Sequence, residues 1–224
     1  MASLRQINFK LTEDLFKIKN HFNKTGIVIS TLGSSVTKGA GATSFNKTWS
    51  FLLYKEMNEK GIPCRLFNNG YGGFTTSLII KEKKYQILLK QRPDIILFEM
   101  CLINNHSQSV PLNKTFEDLD FIADFCKNYF PKSKLIFIVS NPSTSRSNLV
   151  RNGLTYNEYV RQICMMMQET HYQFINFWDP FFSILDELNN SLSDCLYDGI
   201  HPNDLGYKLW FDVMKDELLD YCLS

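Results

Sequence analysis

The chain has 224 residues, of which 44% are hydrophobic, with a formal net charge of +1 and a sequence pI near 7.6. This length and apolar content favour one domain with a sizeable core. Because acidic and basic residues are interspersed, the sequence excludes the large basic surface typical of proteins that bind nucleic acid or an anionic membrane, and a small or neutral substrate is expected.

The N-terminal segment, residues 1–25, interrupts every apolar stretch with a charged or amide side chain. It therefore has no apolar region of the kind found in signal peptides, and no later window is long and apolar enough to span a bilayer. We expect an N-terminal extension, with a weak amphipathic helical pattern over residues 11–22, that packs on a single domain over residues 26–224. A cytoplasmic location is the default expectation.

The six cysteines are widely and irregularly spaced, with no C-x-x-C pair and no Cys/His cluster at the spacing of a zinc site. We expect them to be reduced, mainly structural thiols. They are Cys64, Cys101, Cys126, Cys164, Cys195 and Cys222.

Short β-branched or aromatic runs alternate with longer segments of helical period, a pattern typical of an α/β sheet with helices on its faces. Strands are predicted at residues 26–31, 64–69, 94–100, 134–140 and 172–178. Helices are predicted at residues 47–60, 77–91, 115–130, 155–171 and 204–222. The strands make a plausible doubly wound sheet, in which a ligand binds outside the carboxyl ends of the parallel strands.

The loop after the first predicted strand, "GSSVTKGAGATS" over residues 33–44, suggests either a phosphate-binding loop or a serine nucleophile. The separation of Gly33 and Gly39 is one residue too long for a Walker loop, and no Lys-Ser/Thr pair follows. Ser44 stands where a dinucleotide fingerprint needs its third glycine. These departures disfavour the nucleotide interpretation. A serine nucleophile requires a base and oxyanion donors elsewhere in the chain. The simpler alternative is that Gly33, Ser34 and Ser35 are only turn and helix-cap residues.

The segment "LYDGIHPNDLGY" places Asp198 three residues before His201 in a turn. A turn of this span can bring the carboxylate to Nδ1 of the imidazole, which leaves Nε2 free to accept a serine proton. His21 and His171 lie at predicted helical positions and fit surface or packing roles. His106 follows a predicted strand and is a candidate substrate contact.

Two further loops could supply oxyanion donors. In "FNNGYGGFTTS", the glycines let the backbone approach a ligand, so the N–H of Gly70 is a candidate donor and Asn68 would shape the turn. In "FEMCLINNHS", the side chain of Asn104 could donate to the same oxygen. Simple turn and loop-cap roles are the alternatives for both motifs.

The order of these motifs resembles the SGNH hydrolases, also called GDSL esterases and lipases, over residues 26–220. The final "DGIHPN" block, with a following Gly-Tyr, is the most specific part of the likeness. The resemblance implies the flavodoxin-like, three-layer fold of that family. It also implies a nucleophile, Ser35, a triad completed by Asp198 and His201, and an oxyanion hole formed by the amides of Ser35 and Gly70 and the side chain of Asn104.

The sequence departs from the family pattern in two motifs. The usual Gly-Asp-Ser-Leu reads "GSSV" over residues 33–36, and the usual Gly-x-Asn-Asp has a second asparagine, Asn105, after Asn104. Ser34 is therefore the alternative nucleophile and Asn105 the alternative side-chain donor, with Ser35 and Asn104 favoured. The candidate substrate contacts are Ser34, Asn68, Asn105, His106 and Arg146.

The favoured function is a serine esterase that hydrolyses short-chain acyl esters, acetyl esters above all, of a sugar or polysaccharide. No apolar insertion lies near the active edge, and the loop over residues 141–159 is polar, with Arg146 and Arg151 able to meet hydroxyls or a carboxylate. The alternatives are an acyltransferase, a lysophospholipase- or thioesterase-like acylhydrolase and, disfavoured by the intact triad, a noncatalytic carbohydrate-binding module. The mechanism requires no metal or organic cofactor, and neither nucleic acid nor membrane insertion is expected.

Overall fold

The computed structural model describes residues 26–223 and contains a five-stranded sheet in which all neighbouring strands are parallel. The strand order is β2-β1-β3-β4-β7, and a separate two-stranded hairpin, β5-β6, precedes the last strand. The predicted N-terminal extension and its helical segment lie outside the described residues. The strands are β1 (Ile27–Gly33), β2 (Cys64–Gly70), β3 (Ile95–Glu99), β4 (Lys134–Ile138), β5 (Val150–Arg151), β6 (Leu154–Thr155) and β7 (Gln173–Ile175).

Helices connect the successive strands of the five-stranded sheet, as parallel pairing requires. They are α1 (Ser35–Lys38), α2 (Trp49–Glu59), α3 (Thr76–Lys81), α4 (Ile87–Gln91), α5 (Leu102–Ser107), α6 (Leu112–Tyr129), α7 (Tyr156–Gln168), α8 (Trp178–Glu187) and α9 (Asp204–Leu223). Short 3-10 turns lie at Phe45–Lys47, Lys84–Gln86 and Leu192–Cys195.

The sheet is buried on both faces. Along β3, Ile95 and Leu97 belong to one apolar cluster, whereas Ile96 and Phe98 belong to the other, as the alternation of side chains in a strand dictates. Helices α2, α8 and α9 cover the first face, and α3, α4, α6 and α7 cover the second. The predicted α/β fold, a parallel five-stranded sheet between two helical layers, is therefore confirmed.

The helix predicted over residues 77–91 is broken in the structure. Lys83 adopts a left-handed conformation, with φ of 53°, and a 3-10 turn separates α3 from α4. In an unbroken helix, Leu88 would lie about 180° around the axis from Ile79, because successive residues turn by about 100°. The break allows both side chains to be fully buried.

The strand predicted over residues 172–178 was too long, and helix α8 was missed. Strand β7 ends at Ile175, and the Asn176 side chain accepts a hydrogen bond from the N–H of Trp178, the first residue of α8, at 3.2 Å. Pro180 lies in the first turn of α8, where a helix has no partner for its N–H groups and proline is tolerated.

All six cysteines are free and buried, which predicts low thiol reactivity. Burial raises the pKa of Cys64 to about 11, and those of Cys126, Cys164 and Cys222 to about 12. Since the thiolate is the reactive form, we expect none of the six to react with dithionitrobenzoate in the folded protein at about pH 8, and all of them to react in guanidinium. Rapid release of thionitrobenzoate from the folded protein would contradict this expectation.

Candidate active site

Ser35 begins the short helix that follows β1. Ser34 caps this helix in an extended conformation, and its hydroxyl accepts a hydrogen bond from the N–H of Val36. A side chain at Gly33 would place Cβ 2.3 Å from Oγ1 of Thr37 and 2.9 Å from Cβ of Glu99, so the close packing requires glycine. The turn holds Ser35 half-buried at the carboxyl end of the sheet.

The Asp198–His201 turn reaches Ser35 from the other end of the chain. Nε2 of His201 lies 2.9 Å from Oγ of Ser35, and Nδ1 lies 2.8 Å from Oδ2 of Asp198. The other carboxylate oxygen, Oδ1, accepts the backbone N–H groups of Ile200 at 3.0 Å and His201 at 2.8 Å. Because an ionised carboxylate only accepts, Nδ1 donates and the Nε2 lone pair faces the serine hydroxyl.

These hydrogen bonds predict a pH dependence of stability. Burial on its own raises the pKa of Asp198, but hydrogen bonds from His201 and Ile200 outweigh it and hold the pKa below its usual value. A carboxyl of this kind contributes stability above its unfolded pKa of about 3.9 and loses the contribution as the pH falls through its folded pKa.

We expect Asp198→Asn to melt at a lower temperature than the wild type at about pH 7, by a modest amount because 42% of the Asp198 side chain is exposed. The difference should shrink as the pH falls below about 4. Thermal melts between about pH 7 and about pH 3 measure it, and a difference that stays constant over this range would refute the expectation.

The glycine-containing loop over residues 39–44 packs against the histidine turn and α9. Gly41 has φ of 90°, and a Cβ there would lie 2.4 Å from the carbonyl oxygen of Pro202 and 3.0 Å from Cβ of His201. The Tyr207 hydroxyl lies 2.8 Å from the carbonyl oxygen of Ala40 and 3.0 Å from that of Val36. This loop therefore has a structural role in joining the first strand to the last helix.

Two of the three proposed oxyanion donors come from other segments of the chain: Gly70 is the last residue of β2, and Asn104 lies in α5, the short helix after β3. The N–H of Gly70 donates to Oδ1 of Asn68 at 3.1 Å, and a Cβ at Gly70 would lie 2.0 Å from the backbone nitrogen of Lys38. Nδ2 of Asn104 donates to the carbonyl oxygen of Phe74 at 2.9 Å. A carboxamide nitrogen carries two hydrogens, so Asn104 keeps a second hydrogen for another acceptor.

Ser34 faces the protein interior, beside a buried carboxylate that sequence reasoning missed. Oε2 of Glu99 accepts the Ser34 N–H at 2.9 Å and its hydroxyl at 2.7 Å. Oε1 accepts the Cys101 N–H at 3.0 Å and the hydroxyl of Ser140. Ser34 therefore does not reach the cleft as a substrate contact, and Glu99 joins the loops after β1, β3 and β4. The sequence signal for the buried Glu99 was an acidic residue in the otherwise apolar strand segment "IILFE".

Three other candidate substrate contacts are also engaged within the protein. Asn105 is fully buried and bonds through its carboxamide to Thr76 and Thr115. His106 is fully buried, with Nε2 2.9 Å from the carbonyl oxygen of Leu154. Asn68 donates to the carbonyl oxygen of Thr37 at 2.6 Å. None of the three lines the cleft beside Ser35, so the structure does not support substrate contacts at these residues.

A cleft of about 690 Å³ opens beside Ser35 and His201, with Asn104 and Arg146 in its lining. Arg151 lies outside the lining. Much of the remaining wall is formed by small residues from the loops after β1 and β2, namely Gly39, Ala40, Gly72 and Gly73. Within residues 26–223, no group of three or more His, Cys, Asp or Glu side chains is placed to hold a metal ion.

The family model described as GDSL-like lipase/acylhydrolase matches residues 31–209, more than half of the chain. The chain belongs to this family. A GDSL esterase/lipase of Arabidopsis thaliana is 24% identical over 173 residues, which make up 66% of this chain and 70% of that protein. The family predicted from the sequence motifs is confirmed, and this GDSL hydrolase is a carboxylic ester hydrolase.

Solved structures share the fold of this GDSL hydrolase at low sequence identity. An acetyl xylan esterase is 16% identical with a TM-score of 0.69, covering 86% of this chain and 100% of that one. A two-domain esterase active on acetylated mannans is 18% identical with a TM-score of 0.69, covering 94% of this chain and 53% of that one. Across residues 26–223 of the GDSL hydrolase, no helix has the length and apolar character needed to cross a bilayer.

Proposed function

We propose that this GDSL hydrolase is a serine esterase that removes short acyl groups, above all acetyl, from a sugar or polysaccharide. The observation that carries the proposal is the continuous hydrogen-bonded chain of three side chains. Oγ of Ser35 lies 2.9 Å from Nε2 of His201, and Nδ1 of His201 lies 2.8 Å from Oδ2 of Asp198. Acyl transfer needs a nucleophile in contact with a general base, and a carboxylate that orients this base. The three side chains are arranged in this way.

In this mechanism the Ser35 oxygen attacks the ester carbonyl while Nε2 of His201 takes the hydroxyl proton. His201 then gives that proton to the leaving alcohol, and an acyl-serine remains. Water attacks the acyl-serine by the same route, with His201 again as base, and the acid leaves. Asp198 stays ionised throughout and stabilises the imidazolium.

The oxyanion of each tetrahedral intermediate is bound by the amides of Ser35 and Gly70 and by Nδ2 of Asn104. The Ser35 amide belongs to the first residue of α1, whose N–H groups have no acceptor inside the helix. Asn104 contributes its second carboxamide hydrogen. The Gly70 amide already donates to Asn68, so an oxyanion shares or displaces that bond.

We expect Asn104→Ala to lower kcat for an activated acetyl ester by about 10²- to 10³-fold, because one donor to the developing charge is lost. Asn105→Ala is the matched control: it removes buried hydrogen bonds and should lower the free energy of unfolding by about 2 to 3 kcal/mol with a smaller effect on kcat. Steady-state kinetics and chemical denaturation of both variants measure these effects. A larger loss of kcat in Asn105→Ala would assign the donor to Asn105.

Two observations support a short acyl group on a carbohydrate. Small residues form much of the wall beside Ser35, and the cleft has polar side chains such as Asn104, Ser107 and Gln108. The acetyl xylan esterase and the mannan esterase share the fold. Because the cleft presents few large apolar side chains, kcat/KM should fall from acetate to octanoate esters of one alcohol.

A panel of 4-nitrophenyl esters of increasing chain length, followed by acetylated xylo-oligosaccharides, tests the proposal. Highest kcat/KM for octanoate would favour a lysophospholipase- or thioesterase-like acylhydrolase. Product analysis with and without an added sugar acceptor separates hydrolysis from acyl transfer, since a transferase moves the acetyl group to the acceptor.

A further inference from the structure

The guanidinium of Arg146 is a cation in the cleft, and no acidic side chain in the described part of the chain pairs with it. It lines the same cleft as Ser35 and His201. Its Nε is shielded from solvent and has no hydrogen-bond acceptor, and its guanidinium forms no ion pair with an acidic side chain of residues 26–223. A buried N–H without an acceptor costs free energy, so the position is suited to an acceptor supplied from the cleft.

The loop that carries Arg146 is fastened to the turn that carries Asp198 and His201. The Ser143 hydroxyl donates to the carbonyl oxygen of Gly199 at 2.6 Å, and the N–H of Arg146 donates to Oγ of Ser143 at 3.2 Å. Gly199 has φ of 79°, and a Cβ there would lie 2.0 Å from Oγ of Ser145. The backbone at Arg146 is therefore anchored to the turn that carries Asp198 and His201.

The charge of the cleft lining has one sign. Lys38 and Arg146 line it, and no Asp or Glu does so among the residues that the structure describes. Lys38 is exposed and, within residues 26–223, pairs with no acidic residue. Two cations without a carboxylate between them favour an anionic ligand.

We propose that Arg146 binds an anionic oxyacid group, a carboxylate or a phosphate, on the alcohol part of the ester. The substrate is then a short-chain acyl ester of an acidic alcohol. The inference rests on the proposed esterase function and narrows its substrate class. The planar guanidinium donates two parallel hydrogen bonds to such a group, a geometry that neutral hydroxyls do not match. Lys38 adds a second positive charge in the same cleft.

The kinetic test compares 4-acetoxybenzoate with its neutral methyl ester, and 4-acetoxyphenyl phosphate with phenyl acetate. The readout is the ratio of kcat/KM for the charged ester to that for the neutral ester. In Arg146→Gln this ratio should fall about tenfold or more relative to the wild type, since hydrogen bonds to charged groups are the strong ones. The pair that shows the larger fall identifies carboxylate or phosphate as the bound group.

Arg151→Gln is the matched control. Arg151 lies in β5, outside the cleft lining, and its Nη1 donates to the carbonyl oxygen of Val150 at 2.9 Å. In Arg151→Gln, the ratio of kcat/KM for the charged ester to that for the neutral ester should equal the wild-type ratio. Equal ratios in the wild type and Arg146→Gln for both pairs, or the same fall in both variants, would overturn the proposal.

Calorimetry with non-hydrolysable amides separates this inference from the esterase proposal. Binding of 4-acetamidobenzoate or 4-acetamidophenyl phosphate should be about tenfold or more weaker in Arg146→Gln than in Arg151→Gln. Such a difference supports the anion site even if no ester is hydrolysed, a result that would reject the esterase function alone. Equal affinities of the two variants for both anions reject the anion site even if neutral esters are hydrolysed.

Discussion

Ser35→Ala is expected to lower kcat for 4-nitrophenyl acetate by roughly 10⁶-fold, the scale seen when a serine nucleophile is removed. The reason is geometric: the Ser35 hydroxyl lies 2.9 Å from Nε2 of His201. Without it, neither an acyl-serine nor a covalent adduct with a fluorophosphonate can form. Steady-state kinetics and intact mass after fluorophosphonate treatment measure both losses.

Ser34→Ala is the matched control for this experiment, since it removes a neighbouring hydroxyl that donates to Oε2 of Glu99 at 2.7 Å. The variant should still gain one fluorophosphonate adduct. An adduct that persists in Ser35→Ala and vanishes in Ser34→Ala would move the nucleophile by one residue. An unlabelled wild type with no turnover would instead favour a noncatalytic carbohydrate-binding module.

Glu99→Ala is expected to lower the free energy of unfolding by about 2 to 6 kcal/mol, with each stranded buried donor costing about 1 to 3 kcal/mol. The backbone N–H groups of Ser34 and Cys101 would lose their acceptor, and neither can rotate to find another. Because these groups lie in the loops before Ser35 and Asn104, kcat should fall as well. Chemical denaturation and kinetics on the same preparations measure the two effects.

Two further variants sharpen this prediction. Glu99→Gln keeps the shape of the side chain and one accepting oxygen, so its loss of stability should be smaller than that of Glu99→Ala. Glu82→Ala removes an exposed carboxylate at the end of α3 and should change the unfolding free energy by no more than about 0.5 kcal/mol. A Glu99→Ala change as small as that of Glu82→Ala would contradict a bridging role for Glu99.

The sequence predicted those features that depend on local pattern. All five strands of the parallel sheet carried β-branched or aromatic runs, and each was located to within a few residues. The residues named as a triad lie in three short motifs with recognisable spacing, and the fold brings Ser35, His201 and Asp198 into hydrogen-bonding contact. Their catalytic role stays a prediction until the nucleophile is tested.

The features that sequence reasoning missed depend on contacts between distant segments. Burial of His106 is set by packing against Tyr156 and Tyr159 on α7, which no pattern near residue 106 reveals. The bridge formed by Glu99 requires the ends of β1, β3 and β4 to meet. Likewise, the break at Lys83 follows from which helix side chains must pack against the sheet, rather than from the helix propensity of the segment.

The contact between Tyr207 and the loop after β1 also bears on when the protein can become active during its synthesis. The Tyr207 hydroxyl bridges 171 residues to Val36 and 167 residues to Ala40. A polypeptide emerges from the ribosome N-terminal end first, and contacts of such long separation close late. Ser35 is thus made early, but its loop gains the support of Tyr207 only when α9 has emerged. A nascent chain that still lacks α9 therefore carries Ser35 without the support of Tyr207, and the arrangement around the candidate nucleophile is completed only after α9 has emerged.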